Sequence, residues 1–283
     1  MNFKKVVVSL ILGGILIALV MAPLVARDKK MPGSGGSVFD GESIGVVRIE
    51  GQLADDLGTN WMTGSGSLRN IMDSLRQAAA DPATKVVLLR INSPGGSAAA
   101  GQEIAREVGR LKESGKLVVV SMGDVTASAG YLIAAGADRI VANPATLTGS
   151  IGAYMEFQNF AGLMDMLGIE SEIIKSGTHK DMGSASRSLT DQERAIAQSI
   201  VDDSYQQFIE AVATGRGDRI SREKLVEIAD GRVLTGRQAK DLGLVDDLGN
   251  FYDAVQIAAD LAGLEGEPQL KEYTVASPWS WLF

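Results

Sequence analysis

Apolar positions after residue 43 follow two alternating patterns. Short runs rich in β-branched residues alternate with longer stretches in which apolar residues recur at helical spacing. The runs VVLL and LVVV are apolar at every position, as in strands buried on both faces of a parallel sheet. The patterns predict strands over 44–49, 86–91, 117–122, 140–142 and 172–175, and helices over 68–80, 98–113 and 127–136. We therefore expect an α/β fold of β-α-β units, with helices covering a largely parallel sheet.

The last third of the chain is mainly helical in pattern. Thr190 is followed three residues later by Glu193. This spacing is typical of a capping box, in which each side chain bonds to a backbone N–H of the other residue. The sequence therefore predicts that a long helix begins at Asp191.

An uncharged run covers residues 6–26, with lysines before it and a charged cluster after it. At about 1.5 Å per residue, a helix of this length crosses a hydrocarbon layer of about 30 Å. A cleaved signal peptide is the alternative, but its apolar core usually has only about 7 to 15 residues, and PLVA at 23–26 is a poor cleavage site. We interpret the run as an uncleaved N-terminal transmembrane helix. Basic residues at both ends leave its orientation open.

Composition divides the chain into four parts. Residues 1–30 form the membrane anchor with its basic flanks, and residues 31–42, rich in glycine and serine, form a flexible linker. Residues 43–265 carry the strand and helix patterns of the folded domain. Residues 266–283 form a C-terminal tail, and its aromatic end, PWSWLF, is interpreted as a hydrophobic clip.

Charge and residue types exclude several classes of function. The net charge of −8 does not supply the basic surface that nucleic-acid binding requires. The chain has no cysteine and one histidine, which excludes a thiolate nucleophile, a disulfide and a zinc site built on these residues. No carboxylate cluster has metal-ligand spacing. We therefore expect no nucleic-acid partner, no metal and no organic cofactor.

Two glycine-containing loops follow buried strands, where α/β sheets collect active-site groups. In NSPGG, Gly95 and Gly96 can point backbone N–H groups into a cleft, as an oxyanion hole requires, although such glycines are also ordinary turn residues. In TASAG, Ser128 lies at a predicted helix start, where its hydroxyl serves either as a nucleophile or as an N-cap. The N–H of Ala129 is then placed to join Gly96 in stabilising an oxyanion.

A nucleophilic serine needs a general base, and two neighbouring residues are candidates. His179 is the only histidine, and Lys180 can do the same work where an apolar environment favours the neutral amine. Both lie in a polar loop of irregular pattern, where a lysine is normally solvated. Residue spacing alone does not choose between them.

Four motifs occur in a fixed order along the chain: NSPGG, TASAGYLIA, TLTGSIG and IKSGTHKDMGSASR. Together with DGRVLTGRQAKDLGLVDDLG at 230–249, they resemble the signal peptide peptidase A family in its short single-domain bacterial form. The resemblance implies a serine–lysine dyad peptidase with a crotonase-like and Clp-protease-like β-α-β superhelix. It also implies that 43–265 is the peptidase domain and lies outside the cytoplasm on a single-pass anchor in the cell membrane.

Position by position, the resemblance implies that Ser128 is the nucleophile and Lys180 its general base. Ser150 of LTGS would orient the lysine, although without the family it is an ordinary turn serine. The implied oxyanion hole consists of Gly95, Gly96 and Ala129. The nearby Ile151, Tyr131, Leu132 and Met182 are the expected apolar walls.

The resemblance also implies partners. The expected substrates are hydrophobic peptides such as cleaved signal peptides, and the expected assembly is a homo-oligomeric ring in which serine and lysine meet across a protomer boundary. The sequence departs from the family at Ala129, where glycine is usual, although the donated N–H is kept.

Three other functions compete with this one. One is a peptidase that acts on a specific membrane partner instead of on the remains of leader peptides. A crotonase-like acyl-CoA hydratase or isomerase would use the same glycine turn with a glutamate base and no serine, but it does not explain the anchor. A catalytically silent membrane oligomer or scaffold would assemble normally without a reactive serine.

Overall fold

The computed structural model of the chain describes residues 42–54 and 68–273. The predicted anchor and nearly all of the predicted linker lie outside the described residues, as do the last ten residues of the tail. Across the described ranges, no helix has the length and apolar character needed to cross a membrane.

Strands and helices alternate through the first half of the described chain. The strands are β1 (Ser43–Glu50), β2 (Thr84–Ser93), β3 (Leu117–Ala127), β4 (Arg139–Ala142), β5 (Leu147–Gly149), β6 (Val233–Thr235), β7 (Asp247–Leu248) and β8 (Gln269–Glu272). The helices are α1 (Leu68–Ala80), α2 (Ala98–Glu113), α3 (Ala129–Ala135), α4 (Ala161–Leu167), α5 (Asp191–Arg216), α6 (Arg222–Ile228), α7 (Gly236–Asp241) and α8 (Phe251–Ala262). The predicted mixed α/β fold is confirmed, as are the capping box at Thr190 and the helix that it opens.

One sheet holds all eight strands, in the order β6-β5-β3-β2-β1-β8, with β4 paired to β3 and β7 paired to β4. The pairs are parallel except for β5 with β6. β3 is longer than predicted because it has two successive neighbours. Its residues 119–121 pair with β4 and its residues 125–127 pair with β5. The second pairing carries β3 to Ala127, directly before the candidate nucleophile.

The core lies on both faces of this sheet. In β2, Val87 and Leu89 belong to the larger apolar cluster, while Val86 and Leu88 belong to a second cluster that packs against α8. Successive side chains of a strand point to opposite faces. The uninterrupted apolar run VVLL is thus explained, as predicted, by burial of the strand on both sides.

Residues 154–188, here called the arm, contain no buried residue. α4 buries none of its side chains, and large apolar residues of the arm are open to solvent, including Tyr154 at 85%, Met166 at 84% and Ile174 at 93% exposure. The predicted strand over 172–175 is wrong, since these exposed residues pair with no strand of the described chain. β-branched composition alone does not make a strand where no neighbouring backbone offers hydrogen bonds.

Candidate active site

Ser128 lies at the junction of β3 and α3. Its φ of 51° and ψ of −124° are unusual for a residue other than glycine, and such a conformation costs about 1–3 kcal/mol. The side chain makes no capping hydrogen bond to α3. The N-cap interpretation is therefore wrong, and Ser128 instead lines a cleft. A serine on a strained strand-to-helix turn is typical of exposed nucleophiles.

Ser150 stands at the end of the neighbouring strand. β3 and β5 run parallel with Ala127 opposite Gly149, so the next residues, Ser128 and Ser150, are neighbours at a strand spacing of about 4.8 Å. The Ser128 N–H donates to the Gly149 carbonyl over 2.9 Å. Ser150 also has a positive φ, of 50°, and both serines line one cleft of about 440 Å³.

The NSPGG loop packs directly on the Ser128 turn. A Cβ atom on Gly95 would lie 2.7 Å from the Cβ of Ser128 and 3.0 Å from the nitrogen of Ala129. The Gly95 N–H already donates to the Ser93 hydroxyl over 3.1 Å, so Gly95 is not a free donor, contrary to its predicted share in the oxyanion hole. Its role is to let the loop approach the serine.

Two backbone donors remain beside Ser128. Within the described ranges the N–H of Gly96 donates to no other group. Ala129 opens α3, so its N–H has no partner inside the helix. Two such donors match the requirement for holding the oxyanion of a tetrahedral intermediate.

Replacing Gly95 with alanine tests the close packing of the NSPGG loop against the Ser128 turn. We expect Gly95→Ala to lower kcat/KM by at least about 100-fold, because the new methyl group displaces the serine from its reacting position. Gly115→Ala is the matched control, since Gly115 also has a positive φ, 85° against 101°, but no atom lies within 4 Å of an added Cβ. Equal losses in the two variants, measured with a peptide substrate, would contradict the contact as the cause.

A small pocket beside Ser128 is lined mainly by short and apolar side chains. Helices α2, α3 and α5 contribute Ala98, Gln102, Leu132, Ser204 and Phe208 to its lining. Leu132 thus lies where predicted. The prediction for Tyr131 is wrong, since this residue is fully buried and its hydroxyl donates to the Leu244 carbonyl. Adjacent residues of a helix point in different directions, so only one of the two faces the cleft.

Lys180 lies on the exposed arm. Its N–H donates to the Gly177 carbonyl over 3.1 Å in a tight turn. Neither Lys180 nor His179 lines the two cavities that contain Ser128. One chain therefore brings together the two serines and the backbone donors, but it does not bring the candidate bases to them.

Some residues of the cleft had no signal in the sequence. Asp202 and Tyr205 of α5 and Asp230 line the cleft with Ser128, but no pattern of spacing sets them apart from other surface residues of a long helix and its loop. The described residues contain no group of three or more acidic or histidine side chains arranged to hold a metal ion.

The chain is similar in sequence to known peptidases. The model of peptidase family S49 matches residues 110–265, and that of Clp protease matches residues 63–148. A Synechocystis protein named as a protease is 43% identical over 201 residues, which cover 71% of each chain. An Enterococcus faecium protein named as a signal peptide peptidase, SppA, is 35% identical over 230 residues, 81% of this chain and 64% of that one.

The fold also has a solved counterpart. The S97A mutant of the 1510-N membrane-bound stomatin-specific protease superposes with a TM-score of 0.53 over 83% of this chain and 99% of that chain, at 14% identity. The family match leaves the acyl-CoA alternative without support. On the strength of the matched family and the identity to its members, the chain belongs to peptidase family S49, the signal peptide peptidase A family, and is a serine peptidase.

Proposed function

We propose that the chain is a membrane-anchored serine endopeptidase that cleaves hydrophobic peptides such as cleaved signal peptides, with Ser128 as nucleophile and Lys180 as general base. The observation that carries the proposal is the strained Ser128 turn, which lines a cleft beside two free backbone donors. A buried structural serine would need neither the strain nor the donors.

The chemistry follows from this geometry. Lys180, in its neutral form, takes the proton of the Ser128 hydroxyl as the oxygen attacks the peptide carbonyl. The N–H groups of Gly96 and Ala129 hold the oxyanion, and the protonated lysine then gives its proton to the leaving amine. A water molecule, activated by the same lysine, releases the acyl group. The Ser150 oxygen, which neighbours Ser128, accepts a hydrogen bond from an N–H of the amine and so orients its lone pair toward the Ser128 hydroxyl.

The dyad is completed by a second copy of the chain. The Lys180 turn is joined to the first turn of α5 by Arg187, which donates hydrogen bonds both to Asp181 and to Glu193. Phe208, which lines the Ser128 pocket, lies fifteen residues farther along the same helix, roughly 22 Å at 1.5 Å per residue. A lysine held at the far end of the helix suits the cleft of a neighbouring protomer in a ring.

The pocket supports small or apolar side chains next to the scissile bond. Its walls are Ala98, Leu132 and Phe208, with the polar groups of Gln102 and Ser204 between them. Burial of an apolar side chain against such walls contributes about 25 cal/mol per Å². Segments cut from hydrophobic leader peptides offer side chains of this kind.

The anchor and the location outside the cytoplasm form part of the proposal. Residues 6–26 would span the cell membrane once and hold the peptidase domain at its outer surface. We expect the full chain to sediment with membranes and a chain lacking residues 1–41 to be released. Protease added to intact spheroplasts should digest the peptidase domain. Protection of the domain until the membrane is permeabilised would place it inside the cytoplasm.

Labelling with an activity-based probe tests the nucleophile and the base. A fluorophosphonate or β-lactone should label the wild-type chain, and labelling should be lost in Ser128→Ala and in Lys180→Ala. His179→Ala is the matched control, since His179 is the adjacent alternative base, and it should keep labelling. Labelling that survives Ser128→Ala would sink the mechanism, and loss in His179→Ala alone would replace the lysine. Normal assembly without any wild-type labelling would favour the silent scaffold.

A further inference from the structure

Arg187 joins the Lys180 turn to the N-terminal end of α5. Its Nε donates to Asp181 Oδ2 over 2.9 Å, and its two terminal nitrogens donate to the carboxylate oxygens of Glu193 over 2.8 and 2.6 Å. Asp181 directly follows Lys180 in the chain. One planar guanidinium therefore connects the residue after the lysine to the first turn of the helix, with the two-pronged geometry that favours carboxylates.

Both carboxylates are shielded, so this link is more than a surface ion pair. The Asp181 side chain is 9% exposed and the Glu193 side chain 1% exposed, against 30% for Arg187. Hydrogen bonds from Arg187 and from the Thr190 N–H lower the pKa of Glu193 to about 2. Bonds from Arg187 and Lys175 hold the pKa of Asp181 well below its ordinary range. The link stays charged on both sides at neutral pH.

The helix does not need Arg187 for its own capping. Thr190 and Glu193 already form a complete capping box, with bonds of 2.9 and 3.2 Å. In addition, the Arg187 guanidinium donates hydrogen bonds to two groups outside the helix, Asp181 and the Ser188 carbonyl, the latter over 3.0 Å. We therefore infer that Arg187 mainly stabilises the Lys180 turn and is not required to cap the helix.

The same turn is held on its other side as well. Lys175 Nζ donates to the second Asp181 oxygen over 2.6 Å. The Phe160 N–H donates to the Ala185 carbonyl over 2.7 Å. Yet the Lys180 side chain itself makes no hydrogen bond or ion pair in the described chain. These hydrogen bonds fix the backbone on both sides of Lys180, while the amine of Lys180 stays free to contact another group.

We propose that Arg187 is a positioning residue for the general base. By binding both Asp181 and Glu193, it holds the Lys180 turn of each protomer in a fixed conformation before the lysine approaches Ser128 of a neighbouring protomer. This inference rests on the proposed dyad. In the described chain Arg187 lines neither cavity that contains Ser128, so the proposed role acts through the lysine turn.

Kinetics of Arg187→Ala and Arg187→Lys test the role. We expect kcat of Arg187→Ala to fall by about 10- to 100-fold with KM changed less than about threefold, because a displaced base slows proton transfer without altering the substrate pocket. Arg187→Lys keeps the charge but not the fork, and should lie in between. Millimolar guanidinium chloride should restore part of the activity of Arg187→Ala. Arg106→Ala, which breaks an exposed pair with Glu113 on α2, is the control and should show neither loss nor rescue.

The possible results separate this inference from the dyad itself. Wild-type kcat in Arg187→Ala would overturn the positioning role while Lys180→Ala remains inactive. A loss that guanidinium does not restore, and that accompanies dissociation of the oligomer in sedimentation, would also overturn it, because the residue would then act in assembly. Wild-type activity in Lys180→Ala would instead overturn the dyad on which the inference rests.

Discussion

Ser128→Ala and Lys180→Ala chains, each inactive alone, should recover peptidase activity when they are co-expressed. If serine and lysine meet across a protomer boundary, a ring of mixed chains contains sites that take an intact serine from one chain and an intact lysine from the next. With random assembly of equal amounts, about a quarter of the sites are complete. Each single variant should lose at least about 1,000-fold in kcat, because nucleophile and base work as a unit.

Mixing the wild type with the double variant Ser128→Ala/Lys180→Ala is the control that identifies the arrangement. A dyad within one chain would leave about half of the sites active in this mixture and none in the mixture of single variants. A dyad across the boundary gives about a quarter in both. The measurement is steady-state hydrolysis of a fluorogenic peptide, normalised to the amount of oligomer. No activity in the mixture of single variants would refute assembly across the boundary.

The strand and helix pattern could be predicted because the chain's apolar positions are tied to burial in one sheet. The run VVLL at 86–89 of β2 is apolar at every position because α8 covers one face of the strand and the larger core covers the other. The Thr190 capping box is local chemistry within four residues, so it too could be predicted. The extension of β3 to Ala127 could not, because it depends on pairing with β5, which is distant in sequence.

The active site, too, could be predicted only where its features depend on local sequence. That Ser128 does not cap α3 follows from its backbone angles, which a sequence of small residues does not reveal. The engagement of the Gly95 N–H by Ser93 depends on how the NSPGG turn closes, and either glycine could have been the free donor. Lys180 had no spacing signal of its own, and one protomer still leaves it apart from the cleft. The resemblance, and not residue chemistry, singled it out.

Acidic substitutions on the arm should dissociate the proposed oligomer and abolish peptidase activity together. Met166 and Ile174 are 84% and 93% exposed in the single chain, on an arm whose residues include no buried one. If the chain forms the proposed ring, we expect these side chains to contact the next protomer, because large exposed apolar patches mark interaction sites. A carboxylate in such a contact would be buried without a partner, and central interface residues often contribute 2 kcal/mol or more, on the order of a 30-fold change in affinity.

Met166→Glu/Ile174→Glu and Leu261→Glu should therefore behave differently. Leu261 is also an exposed apolar residue, at 46%, but it lies on α8, away from the arm. Sedimentation velocity should give a monomer for the arm variant and the wild-type oligomer for the α8 variant, with unchanged circular dichroism in both. Because the arm variant keeps Ser128 and Lys180 but separates them, its activity should fall as far as that of Lys180→Ala. A monomeric arm variant with wild-type activity would show that one protomer holds a complete dyad, and the arm would then need another explanation.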